Sequence, residues 1–189
     1  VAMLWAAMYD SSVSGAPVNC IWTKQIREAL TWILAFLDRA AGTVERTFNA
    51  VEFFNRGAMI DVYFDASPHG FGGFLLIDEI PAYYTFGVFT GYDTQVLNVV
   101  NEDSRAQQAF ESLALLIVLR MWLPLFADHR VKVRVRGDNI SSLSLLCKMQ
   151  PKSSSLLVIA REIALDISDC SYSPDFVEHV PGICNGVAD

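Results

Sequence analysis

MIDVYFDA, residues 59–66, alternates. Asp61, Tyr63 and Asp65 fall on one side of an extended chain, and Val62 and Phe64 on the other. A period of two marks a strand with one apolar face. Ser67-Pro68-His69-Gly70 reads as a turn, FGGFLLID (71–78) as a second strand and PAYYTFGVF (81–89) as a third. Strands in succession with short links predict an antiparallel meander. The HGFGGF run (69–74) has the glycines of a phosphate-binding loop, but it lies between strands and opens no helix. A hairpin with close backbone packing is its reading.

Beyond the meander the period changes. A long helix is predicted from about Asp103 to Trp122, with Phe110, Leu113, Ala114, Ile117 and Met121 as its apolar stripe and Pro124 ending it. VKVRVRGD (131–138) reads as a fourth strand, followed by helices over 140–148 and about 153–167. SPDFVEHVPG (173–182) is the fifth strand and its exit, with a helix opening at the end of the chain. The order β-β-β-α-β-α-α-β predicts an α/β domain: a five-stranded mixed sheet, three antiparallel strands then parallel strands, with helices packed on it. Upstream, TKQIREALTWILAFLDRAAG (23–42) carries Ile26, Leu30, Ile33, Leu34 and Leu37 at helical spacing, with Thr23 as cap and Gly42 as stop. Residues 43–58 read as a linker. The expected organisation is an N-terminal helical segment over 1–58 and a domain over 59–189, cut at the start of its last helix.

The 189 residues are 52% hydrophobic and 19% charged, enough to bury a core and too apolar for a disordered tail. A net charge of -7 argues against the usual basic nucleic-acid binder. Cys20, Cys147, Cys170 and Cys184 form no CxxC pair, so reduced thiols packed as small apolar groups in an intracellular protein are expected. No membrane span is expected, because LALLIVLRMWLPLF (113–126) is interrupted by Arg120 and Pro124. VAMLWAAMYD lacks the basic start of a signal peptide. Starting on Val and stopping in mid-helix, the chain reads as a piece of something longer.

Four acids hold the chemistry. Asp65 ends the first strand, where aspartate is also a common turn former. Asp138 ends the fourth, where it equally suits a helix N-cap. Glu111 sits in AFESLALLIVL (109–119), apolar on nearly every side, and burying it unpaired would cost several kcal/mol. Asp189, the last residue, has the weakest individual case. If the first and fourth strands are parallel neighbours, their C-terminal ends bring Asp65 and Asp138 together, at the edge where open α/β sheets bind ligands. The long helix can present Glu111 over that edge, and a helix after the fifth strand can add Asp189. Clustered carboxylates repel one another, and oxygen-only ligands suit Mg²⁺ or Mn²⁺. Two such ions would activate a water and steady the leaving oxygen in phosphoryl transfer.

DAS (65–67), FESLALL (110–116), RGDN (136–139) and EHVPGICNGVAD (178–189) together resemble the RNase H domain of retroelement reverse transcriptases. The last segment is the most specific, for its spacing of His, Pro-Gly, Asn and Ala-Asp. The resemblance covers roughly residues 59–189, and the upstream helix is similar to the segment joining polymerase to RNase H. It implies a Mg²⁺-dependent endonuclease cutting the RNA strand of an RNA–DNA hybrid, with Asp65, Glu111, Asp138 and Asp189 as metal carboxylates. His179 matches a mobile histidine assisting proton transfer or product departure, although it could also simply order the turn at Pro181-Gly182. His69 and His129 are read as turn and loop residues, and Asn139 and Ser67 as cap and turn formers.

The implied partners are the hybrid and the polymerase portion of the same polyprotein. Against them stands the charge. Arg130, Lys132, Arg134 and Arg136 share one strand face, but Asp61 is expected level with Arg134, so internal pairing accounts for part of that strip. A retroelement-derived module that keeps the fold and binds a protein assembly is therefore the competing expectation. Another nuclease or integrase of the same superfold is disfavoured by the spacing of His179 and Asp189.

Overall fold

A computed structural model describes residues 17, 20–40, 58–99, 104–126, 131–151, 153–169 and 172–181. Val1–Arg46 and Thr47–Asp189 form two compact units. In the first, helix α1 spans Thr23–Leu37. Thr23 is its first helical residue, not its cap: Trp22 holds that place in extended conformation, with no side-chain hydrogen bond. The helix also stops before Gly42, which lies outside the described residues. Arg39 turns left-handed at φ 58° and the Ala40 N–H bonds the Ala35 carbonyl at 2.8 Å, closing the end without glycine. Leu30, Ile33, Leu34 and Leu37 of the expected stripe are exposed. Of the expected linker, only residue 58 is among those described.

In the second unit, β1 (Ile60–Ser67), β2 (Gly70–Ile77) and β3 (Ile80–Val88) form the antiparallel meander. A short helix, α2 (Gly91–Leu97), follows. Then come α3 (Ser104–Phe126), β4 (Val131–Gly137), α4 (Ile140–Lys148), α5 (Ser154–Asp169) and β5 (Tyr172–His179). The sheet order is β3-β2-β1-β4-β5, with β1–β4 and β4–β5 parallel. The expected five-stranded mixed sheet is therefore present. The sequence reading missed α2, whose signal is Thr90-Gly91-Tyr92-Asp93: the Asp93 carboxylate accepts from the Thr90 N–H and hydroxyl, both at 2.7 Å.

Alternation in β1 sends Val62, Phe64 and Ala66 into the core beneath α3. Gly73 on β2 lies under the same helix, where a Cβ would come within 2.8 Å of Val118. The buried face of α3 runs Phe110, Glu111, Ala114, Leu115, Val118, Leu119 and Trp122. It is rotated from the predicted stripe: Leu113 and Ile117 are only partly buried and Met121 is exposed. Packing between the sheet and α5 decides this face, so the apolar pattern alone misplaces it. The rotation puts Glu111 on the inner side.

Pro124 does not end α3, which runs to Phe126. In the last turn, proline leaves unpaired only a carbonyl one turn back, at solvent-exposed Arg120. The continuous helix is thereby long and apolar enough, by length and composition, to cross a membrane; here it packs in the core of the domain. Cys20 and Cys147 are free but exposed, contrary to the expected packing, since Cys147 lies on the outer side of α4; Cys170 and Cys184 are outside the described residues.

Phe64 is fully buried and its ring fills the space a Cβ at Gly137 would occupy. Phe64→Ala should cost about 3–5 kcal/mol in urea unfolding. Gly73→Ala, which overpacks against Val118, should cost about 1–3 kcal/mol. Unchanged midpoints in both would show that the helix–sheet packing is wrong.

Candidate metal centre

β1 and β4 run parallel with Asp61 level with Arg134 and Tyr63 level with Arg136. Two residues on, the same register brings Asp65 and Asp138 side by side at the strand ends. α3 crosses that end with Glu111 only 3% exposed. One oxygen from each of Asp65, Glu111 and Asp138 lies within 4.8 Å of the others.

A neighbouring residue takes over the local duty that would otherwise explain Asp138. The cap of α4 is Asn139, whose side-chain oxygen accepts from the N–H groups of Ser141 at 2.8 Å and Ser142 at 3.3 Å. The N-cap reading of Asp138 is thereby replaced. After Asp65, the turn is held by the Ser67 hydroxyl, which accepts from the His69 N–H at 3.3 Å. Ser67 and Asn139 thus have the turn and cap roles expected of them.

Burial pushes the Glu111 carboxyl up to about 8, with the charges of Asp65 and Asp138 adding to the effect. The Gln107 side chain and the Ala66 backbone pull the other way. The Gln107 amide donates to Glu111 Oε1 at 3.0 Å and to the Ala66 carbonyl at 2.7 Å. Glu111 Oε2 is buried with no hydrogen-bond partner. A buried orphan oxygen among mutually repelling carboxylates is what an oxygen-coordinated divalent cation satisfies, so the residues present fit such an ion. Gln107 was not singled out from the sequence, although its place one helical turn before Glu111 was legible there.

The arginines of β4 do not serve the cluster. Arg134 pairs with Asp61 Oδ2 at 2.6 Å, and Asp61 is 2% exposed. Arg136 lies 2.9 Å from Glu178 and 3.5 Å from the second Asp61 oxygen, donates to the Tyr63 hydroxyl, and sits over the Tyr63 ring. The expected internal pairing accounts for both. Arg130 lies outside the described residues.

His179 ends β5 level with Gly137, the residue before Asp138, and is exposed. The Val180 N–H extends this pairing to the Gly137 carbonyl at 2.9 Å. His179 therefore stands at the same sheet edge as the cluster. Asp189 and His129 lie outside the described residues, and His69 is an exposed turn residue, as expected. A groove of about 1120 Å³ is lined by Asp65, Gly72, Phe74, Tyr84 and Phe86, among others.

No protein-family model and no curated protein matches the chain. Solved structures do. The N-terminal RNase H domain of Rv2228c from Mycobacterium tuberculosis, fused to maltose-binding protein, is similar over 70% of this chain and 89% of that one. Its identity is 14% and its TM-score 0.51. LC11-RNase H1, solved in complex with an RNA/DNA hybrid, is similar over 70% of this chain and 91% of its own, at 15% identity and TM-score 0.52. A foamy viral protease-reverse transcriptase dRH structure with double-stranded DNA is similar over 93% of this chain and 28% of that one, at 18% identity and TM-score 0.44. At 14% and 15% identity the common property is the fold, and the fold of this chain is RNase H-like.

A carboxyl raised from 4.5 to about 8 is held protonated more tightly in the folded chain than in the unfolded one. Its contribution to stability is full below 4.5 and is lost as pH rises to about 8. Thermal unfolding in a chelator should therefore show a melting temperature that falls over this interval. Glu111→Gln should flatten the fall and melt higher above about 8. Parallel profiles for the two proteins would refute the buried, like-charged environment.

Proposed function

We propose that this chain is a metal-dependent RNase H domain of a retroelement reverse transcriptase polyprotein, hydrolysing the RNA strand of RNA–DNA hybrids. The observation that carries the reading is the convergence of Asp65, Glu111 and Asp138 at one end of an RNase H-like sheet. The retroelement context rests on the spacing within EHVPGICNGVAD.

Asp65, Glu111 and Asp138 would hold Mg²⁺ or Mn²⁺, with Asp189 as a fourth carboxylate, in a site for two ions. Bound there, the ions would supply an activated water and neutralise charge on the phosphate. Glu111 must shed its proton to become a ligand, so ion binding releases a proton below about 8. In the hydrolysis, water adds to phosphorus and one bridging P–O bond breaks. The oxygen that leaves takes a proton, and His179, exposed at the sheet edge, would move it. The polymerase portion of the polyprotein would supply the phosphate grip that the β4 arginines do not. An intracellular setting goes with this reading.

A second reading has its own observation. The chain is acidic, and Arg134 and Arg136 are paired internally, which favours a module that keeps the fold and binds protein. A cleavage assay on an RNA–DNA hybrid with Mg²⁺ or Mn²⁺ separates the two. The wild type should cut the RNA strand, and Asp138→Asn should lose activity by roughly two orders of magnitude or more, as sites of preorganised charge do. His179→Ala should bind hybrid normally and turn over about 100-fold more slowly, the usual worth of an acid–base group. Absent cleavage, or equal cutting by wild type and Asp138→Asn, would leave the binding module as the answer.

A further inference from the structure

We propose that Gln107 is a positioning residue, a strap that sets the spacing of Asp65 and Glu111 before any cation arrives. The proposal rests on the metal-centre reading above. A side-chain amide nitrogen carries two hydrogens. Gln107 directs one to the Ala66 carbonyl at 2.7 Å and the other to Glu111 Oε1 at 3.0 Å. A carbonyl oxygen can only accept, so the amide orientation is set by Ala66.

The two acceptors belong to different elements. Ala66 follows Asp65 in β1, and Glu111 stands one turn after Gln107 in α3. One amide therefore ties the strand end that presents one carboxylate to the helix turn that presents another. It also fixes which Glu111 oxygen is left over: Oε1 is taken, and Oε2 is buried with no partner. Without the strap the Glu111 side chain could turn away from the cluster, and a cation would have to pull it back. Contact with substrate is the competing use of this amide, and it would require both existing bonds to break.

Gln107→Met keeps the length of the side chain and removes both donors. Isothermal titration of the metal-free proteins with Mn²⁺ should show the variant binding roughly 10-fold more weakly, the usual cost of losing a group that orients a ligand. In the hybrid-cleavage assay its deficit should be rescued by added Mn²⁺, with KM for the hybrid unchanged. Should Gln107→Met fail to fold, Gln107→Asn, one methylene too short to span both acceptors, must weaken Mn²⁺ binding in the same direction. Equal Mn²⁺ affinity in wild type and variant overturns the strap alone. A raised KM with unshifted Mn²⁺ dependence does so too, in favour of substrate contact. A wild type that takes up no Mn²⁺ overturns the metal centre and the strap together.

Discussion

Parallel pairing of β1 with β4, from Ile60 beside Val133 to Tyr63 beside Arg136, is the contact on which the domain turns. It joins the meander to the parallel half of the sheet and places two strand ends at one edge. Parallel strands need a long crossover, and α3 lies in that connection, packed over β1 with Phe110, Leu115 and Val118 buried. The same crossover delivers Glu111 to the edge where Asp65 and Asp138 meet. Sheet closure and carboxylate convergence are thus one event.

The sheet face bearing the acids also carries its own counter-charge. Asp61 is nearly inaccessible and is held by Arg134 and Arg136, with Tyr63 and Glu178 completing the group. Buried ion pairs of this kind add little net stability, but losing one partner leaves a stranded charge. Their consequence for function is that Arg134 and Arg136, on the most basic strand of an acidic chain, are already paired within the protein. At the strand ends the charges of Asp65 and Asp138 instead bear on the buried Glu111. The raised Glu111 carboxyl records that asymmetry.

Much of this was legible in the residues. The alternation of MIDVYFDA and the helix over 140–148 came through intact, because local patterning and burial agree there. The failures have local causes too. Pro124 was expected to end α3, but in the last turn a proline costs little of the helix's bonding, and the helix runs on to Phe126. Helix α2 escaped because it is short and held mainly by Thr90 and Asp93. The inner face of α3 was misread because that helix is apolar on most sides and its orientation is settled by what packs around it.

By itself the sequence determined the order of the strands and of the longer helices, and which acids had no comfortable place in them, since periodicity and the cost of burying charge act residue by residue. The tertiary structure decided which of those acids meet. Residues 65, 111 and 138 are far apart along the chain, and only parallel pairing with a helical crossover brings their oxygens within 4.8 Å of one another. It also decided that Gln107 stands between Ala66 and Glu111, because a hydrogen bond bridging a strand end and a helix exists only once the two are packed.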